Sequence, residues 1–131
     1  MDQETAGRAQ VILVADGDSP RLARTQEILT RAGYVVLTAN SAEEAEALAD
    51  TAAEFDLVIC AVVLDGGNSG VHLAEHIERS KRTVSTLLVS HYRRELLHYI
   101  PGFDQQRYFL SNPFSAEELL KRVRKLLGGN R

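Results

Sequence analysis

The side chains able to do chemistry in this chain gather where its apolar runs end. Asp16 and Asp18 flank Gly17 directly after Val11-Ile12-Leu13-Val14-Ala15, and Asp65 follows the run from Leu57 to Leu64. Ser90-His91-Tyr92 follows Val84 to Val89, and Asn112-Pro113 comes soon after Arg107 to Leu110. Two carboxylates at one turn could hold a divalent cation through oxygen, and a serine beside a histidine could act as a nucleophile. The serine has no motif around it that supplies an oriented acid and an oxyanion donor, so catalysis is not expected there. Asp18 fits better as part of a helix N-cap than as a metal ligand, and Asp65-Gly66-Gly67-Asn68 has the chemistry of a turn. An extended chain at ~3.3 Å per residue would carry Asp65 more than about 10 Å past Ala61. His72 and His76, at helical spacing, could chelate an adventitious metal weakly, but neither they nor His98 belong to a designed ligand set. Gly66-Gly67 lacks the lysine and hydroxyl of a phosphate-binding loop. The expected complement of metals and cofactors is none.

A chain of 131 residues holds one domain, and its 44% hydrophobic and 25% charged composition supplies one real core. The 15 basic residues against 18 acidic ones leave a net charge of -3, which gives no draw toward nucleic acid or anionic lipid. Cys60 is the single cysteine. It excludes an internal disulfide and a zinc cluster, and it suits a reducing compartment. No apolar run approaches a membrane span and no secretory signal opens the chain, so a soluble, cytoplasmic protein is expected.

These residues sit on a repeating frame. Val11–Ala15 reads as a strand buried on both faces, and Ser19-Pro20 starts a helix that Gly33 ends. Tyr34–Ala39 is a second strand, and Ser41-Ala42-Glu43-Glu44 is a capping box for a helix with Ala45, Leu48, Ala49 and Ala52 on one face. Leu57–Leu64 is a third strand before a helix carrying Leu73, Ala74 and Ile77. Val84–Ser90 is a fourth, with a helix expected around Arg93 to Tyr99. Arg107–Leu110 is a fifth, and Ser115-Ala116-Glu117-Glu118 caps a final helix striped by Leu119, Leu120, Val123, Leu126 and Leu127. Residues 1–10 read as a disordered tail, 11–128 as the domain, and 129–131 as a C-terminal tail or the start of a linker. Five alternating strands and helices predict an α/β fold: a five-stranded parallel sheet between two helical layers, with any ligand beyond the carboxyl ends of the strands.

The stretches Ile12-Leu13-Val14-Ala15-Asp16, Ala32-Gly33-Tyr34-Val35-Val36, Phe55-Asp56-Leu57-Val58-Ile59, Leu88-Val89-Ser90 and Asn112-Pro113-Phe114-Ser115-Ala116-Glu117-Glu118 resemble, in order and spacing, the receiver domains of two-component response regulators. The resemblance implies a flavodoxin-like (βα)5 fold and a place in bacterial signal transduction. It also implies a pocket in which an aspartate after the third strand accepts a phosphoryl group, aided by Mg²⁺ on two acids after the first strand, a hydroxyl after the fourth and a lysine after the fifth. Here the acceptor position is Ala61, the acidic pair reads Asp16-Gly17, and the lysine is replaced by Asn112. Asp16, Ser90 and the Asn112-Pro113 bond, typically cis in the family, remain. Gly70 falls late, making the loop after Ala61 one residue longer than the common pattern.

The expectation is therefore a degenerate pocket of Asp16, Gly17, Ala61, Ser90, Asn112 and Pro113 in a pseudo-receiver that is not an enzyme and acts by protein binding. The runner-up is a phosphoacceptor using Asp65 with Asp16 and Asp18. Phe109 matches the family's switch aromatic and is expected in the core. The resemblance points to the fourth helix, fifth strand and fifth helix as a surface for a protein partner, an output domain or a second copy, centred on Arg93, Arg94, Tyr108, Arg122 and Lys125, with neither nucleic acid nor membrane bound directly.

Overall fold

In a computed structural model of the chain, residues 9–51, 54–64, 69–81, 83–90 and 108–128 are described. Five strands, β1 (Val11–Ala15), β2 (Val35–Ala39), β3 (Leu57–Ala61), β4 (Ser85–Ser90) and β5 (Tyr108–Ser111), form one parallel sheet in the order β2-β1-β3-β4-β5. The helices among the described residues are α1 (Ser19–Arg31), α2 (Ala42–Asp50), α3 (Ser69–Ser80) and α4 (Ala116–Leu126). This is the expected flavodoxin-like arrangement. The helix anticipated around Arg93 to Tyr99 lies outside the described residues.

Alternation along each strand divides the core between the two faces of the sheet. Ile12, Val14, Leu57, Ile59, Leu87, Val89 and Leu110 pack with Leu29 of α1 and with Leu119 and Val123 of α4. Leu13, Ala15, Val58, Cys60, Leu88 and Phe109 pack with Ala45 and Ala49 of α2 and with Leu73, Ala74 and Ile77 of α3. Strands buried on both sides must read as continuous apolar runs, which is why β1 and β3 carry no polar residue. Among the described residues, no helix is long and apolar enough to cross a membrane.

Several boundaries move from their expected places. The start of α1 does not: Asp18, read from sequence as part of the N-cap, is the cap, and Ser19 is the first helical residue. Asp18 has extended backbone and its carboxylate accepts the Arg21 N–H at 3.0 Å. β3 stops at Ala61 rather than continuing to Leu64, because the Val62 carbonyl accepts the Gly70 N–H at 2.9 Å and so serves the start of α3. Val62 and Leu64 stay buried regardless. β2 and β4 each begin one residue later than expected, and β5 runs on to Ser111, with Arg107 outside the described residues. Ser115 and Glu118 form the expected capping box on α4, whereas Glu44 reaches past Ser41 to the Asn40 N–H.

Asp56, which precedes β3, fastens the start of the sheet. Its Oδ2 accepts the Val11 N–H at 2.7 Å and its own N–H donates to the Val11 carbonyl at 2.8 Å. Asp56→Ala should lower stability by about 2 kcal/mol, read as a lower urea midpoint at unchanged slope. Asp56→Asn keeps an acceptor and should lose less.

Candidate functional site

The direction of winding changes between β1 and β3, since β2 lies on one side of β1 and the remaining strands on the other. In open α/β sheets the crevice at that switch, beyond the carboxyl ends of the strands, is where ligands bind. Register puts the residues named from sequence along this edge. Ala15 pairs with Cys60, Ala61 with Val89, and Ser90 with Ser111, so Asp16, Ala61, Ser90 and Asn112 stand at four successive strand ends. The Asn112 N–H donates to the Ser90 carbonyl at 2.8 Å, and the Asn112-Pro113 bond is cis, as the resemblance implied.

Asp16 is only 5% exposed, and its charge is answered from within the chain. The Arg21 Nε donates to Oδ2 at 2.6 Å and Nη2 donates to Oδ1 at 2.8 Å, while the Asp18 N–H reaches Oδ1 at 2.9 Å. This two-pronged guanidinium–carboxylate geometry is the strongest form of side-chain ion pair. The hydrogen bonding of Arg21 to the Asp16 carboxylate, against the opposing effect of burial, holds Arg21 above its ordinary pKa, with the nearby charges of Asp16 and Asp18 adding to it. The pair forms because Asp18 caps α1 and thereby places Arg21 in the first turn, facing back over the loop. Arg21 escaped the sequence reading: an Asp and an Arg five apart carry no signal until the cap that folds one onto the other is known.

The residues present do not suit the Mg²⁺ that the family resemblance implied. Gly17 offers no side chain, both oxygens of Asp16 face Arg21, and Asp18 serves the helix terminus, with Oδ2 3.8 Å from Arg21 Nη1. Among the described residues, no group of three or more His, Cys, Asp or Glu could hold a metal ion. His76 faces Asp50 of α2, with Nε2 3.5 Å from Oδ1, while His72 is exposed.

Ala61 closes β3 at 3% exposure, and α3 begins against its backbone. A Cβ on Gly70 would lie 1.9 Å from the Ala61 carbonyl oxygen, so the close approach requires glycine. Ser90 is buried, and Phe109 is buried on the α2–α3 side, in the core as expected. On the expected partner surface, Tyr108 is 56% exposed and Lys125 is exposed. Arg122 differs from a freely solvated cation, because its Nη1 donates to the Phe109 carbonyl and joins α4 to β5. Its reversal would cost folding as well as charge. Arg93, Arg94 and Asp65 lie outside the described residues. Arg24, which sequence also passed over, donates to the Phe114 carbonyl at 2.7 Å and lies over the Phe114 ring, joining α1 to the loop after β5.

With this fold and edge in view, the family model of the response regulator receiver domain matches residues 12–124. The chain belongs to this family. Over 116 residues it is 34% identical to the transcriptional regulatory protein YrkP of Bacillus subtilis (strain 168), covering 86% of this chain and 47% of that protein. It is 29% identical over 125 residues to the sensor kinase CckA of Brucella abortus (strain 2308), covering 95% of this chain and 13% of the kinase. This receiver domain thus spans less than half the length of those curated relatives. The crystal structure of a response regulator receiver protein from Sinorhizobium medicae WSM419 superposes with a TM-score of 0.81 at 22% identity, covering 95% of this chain and 98% of that one, which shows the common fold.

Proposed function

We propose that this receiver domain acts without phosphorylation, as a protein-interaction module of a two-component pathway, and that it is not an enzyme. The observation that carries the reading is Ala61 at the end of β3. Phosphoryl transfer to the strand end needs a carboxylate oxygen as nucleophile, and a methyl group has no electron pair to offer. The neighbouring positions agree: Gly17 removes one acid and Asn112 removes the ammonium that would balance the incoming phosphoryl charge. Asp16 and Asp18 are engaged by Arg21 and by the α1 terminus, which weighs against their serving Asp65 as a metal site. The full chain incubated with acetyl phosphate and Mg²⁺ should keep its mass. A phosphoryl group found on Asp65 would install the alternative in its place.

As a receiver domain the chain works through protein partners; we take these to be a kinase, an output domain or a second copy meeting the face of β5 and α4. Binding of this kind uses a surface already in its competent shape, so affinity should be the same with and without a phosphodonor. Tyr108 and Lys125 are exposed and can contribute an aromatic anchor and a charge there. Tyr108→Ala with Lys125→Glu should change stability by no more than about 0.5 kcal/mol and weaken self-association or partner capture at least about tenfold. Unchanged binding in that variant, with loss in one altered beside Asp16, would move the working face to the pocket edge and α1.

A further inference from the structure

We propose that Arg21 is a built-in replacement for the divalent cation of the pocket, so that this domain keeps its strand-end edge in one metal-independent state. A carboxylate as enclosed as Asp16 must have a counter-charge, and in this chain both of its oxygens receive that charge from one guanidinium anchored in the first turn of α1. Charge bookkeeping links Arg21 to its neighbour Gly17. Two carboxylates balance one divalent cation, whereas one carboxylate balances one guanidinium, so glycine at 17 with the guanidinium of Arg21 leaves this edge balanced without an ion.

The competition strongly favours the arginine. An incoming Mg²⁺ would have to break two charge-assisted hydrogen bonds and shed waters it releases reluctantly, with a single carboxylate as its reward. The guanidinium is also tethered five residues away, so its local concentration does not fall with dilution or chelation. This inference concerns the cation alone. It would stand even if Asp65 accepted a phosphoryl group, and phosphodonor labelling therefore tests the preceding reading separately.

Thermal unfolding of the full chain in EDTA and in about 10 mM Mg²⁺ tests it, on the wild type, Gly17→Asp, Arg21→Gln and the double variant. Gly17 is exposed and is not among the positive-φ glycines, so aspartate is tolerated there. Wild type and Gly17→Asp should melt at the same temperature in both buffers, because Arg21 still holds Asp16. Arg21→Gln should lose about 10 °C, the cost of an enclosed carboxylate left without its partner. The double variant should regain about 5 °C in Mg²⁺, as expected of a site of roughly millimolar affinity. Stabilisation of the wild type or of Gly17→Asp by Mg²⁺ would overturn the proposal, as would an Arg21→Gln protein that melts like the wild type or a double variant blind to the ion. Should the Arg21 variants fail to fold, amide shifts of Asp16 and Asp18 in wild type and Gly17→Asp decide it: no movement through a Mg²⁺ titration supports the tethered cation, and saturable movement refutes it.

Discussion

Ala61→Asp alone should remain unlabelled by acetyl phosphate, although it puts a carboxylate back at the end of β3. A nucleophile is one part of phosphoryl transfer; the larger part is a preorganised set of positive charges around the transferring oxygens. This chain lacks two of them, with Arg21 locked onto Asp16 in place of a metal and Asn112 in place of a lysine. Each such stabiliser is worth roughly 10²–10³ in rate, so the single variant should lag a complete pocket by at least ~10⁴. Adding Gly17→Asp and Asn112→Lys should still fall short while Arg21 occupies both oxygens of Asp16. Only the variant that also carries Arg21→Gln should gain a phosphoryl group by intact-protein mass. Ala61→Asn, which has the shape of aspartate without the nucleophile, controls for the cost of a polar side chain at a site 3% exposed. Robust labelling of Ala61→Asp alone would mean that the pocket needs neither cation.

The largest stability loss from adding a single methyl group should come from Gly70→Ala. An ideal Cβ there would lie 1.9 Å from the Ala61 carbonyl oxygen and 2.8 Å from both the Ala61 carbonyl carbon and the Val62 Cα. All three are backbone atoms, so no side chain can swing aside, and either α3 or the end of β3 must move. Movement would also disturb the Gly70 N–H bond to the Val62 carbonyl at 2.9 Å and the contact of Cys60 Sγ with the Gly70 carbonyl at 3.4 Å. The expected loss is about 3 kcal/mol, or about 10 °C in melting temperature. Gly33→Ala provides the contrast. Its φ of +102° strains an added side chain, but nothing lies within 4 Å of the new Cβ, so the loss should stay near ~1 kcal/mol. A Gly70→Ala protein as stable as the wild type would show that α3 does not seat on Ala61.

The late position of Gly70 was visible in the sequence as a long loop, yet its purpose was not. Glycine spacing tells how many residues separate Ala61 from Gly70; it does not tell that the helix start comes back onto the strand end. A similar gap applied at the partner surface. The basic residues of the last helix looked alike in sequence, but Arg122 reaches the Phe109 carbonyl across the β5–α4 connection, while Lys125 stays exposed. Asp56 entered the sequence reading only within the stretch Phe55-Asp56-Leu57-Val58-Ile59, although its carboxylate clasps the first residue of β1, 45 positions away.

What the residues specified on their own was everything with a short period or a local partner. The uninterrupted apolar runs of β1 and β3, the caps at Ser41 and Ser115, and the stripe of Leu119 and Val123 are decided within a few residues, and they suffice for a parallel sheet between helices. The reading of a degenerate pocket was equally local, since Ala61 and Gly17 carry no polar side chain and the amide of Asn112 carries no charge in any conformation. Which groups then meet depended on the folded chain. The cap at Asp18 was legible in the sequence, but that it turns Arg21 back onto Asp16 was not. An acid could be read in the sequence as a vacant metal ligand; burial at 5% exposure made a counter-charge necessary, and the turn of the helix determined that the chain would supply it itself.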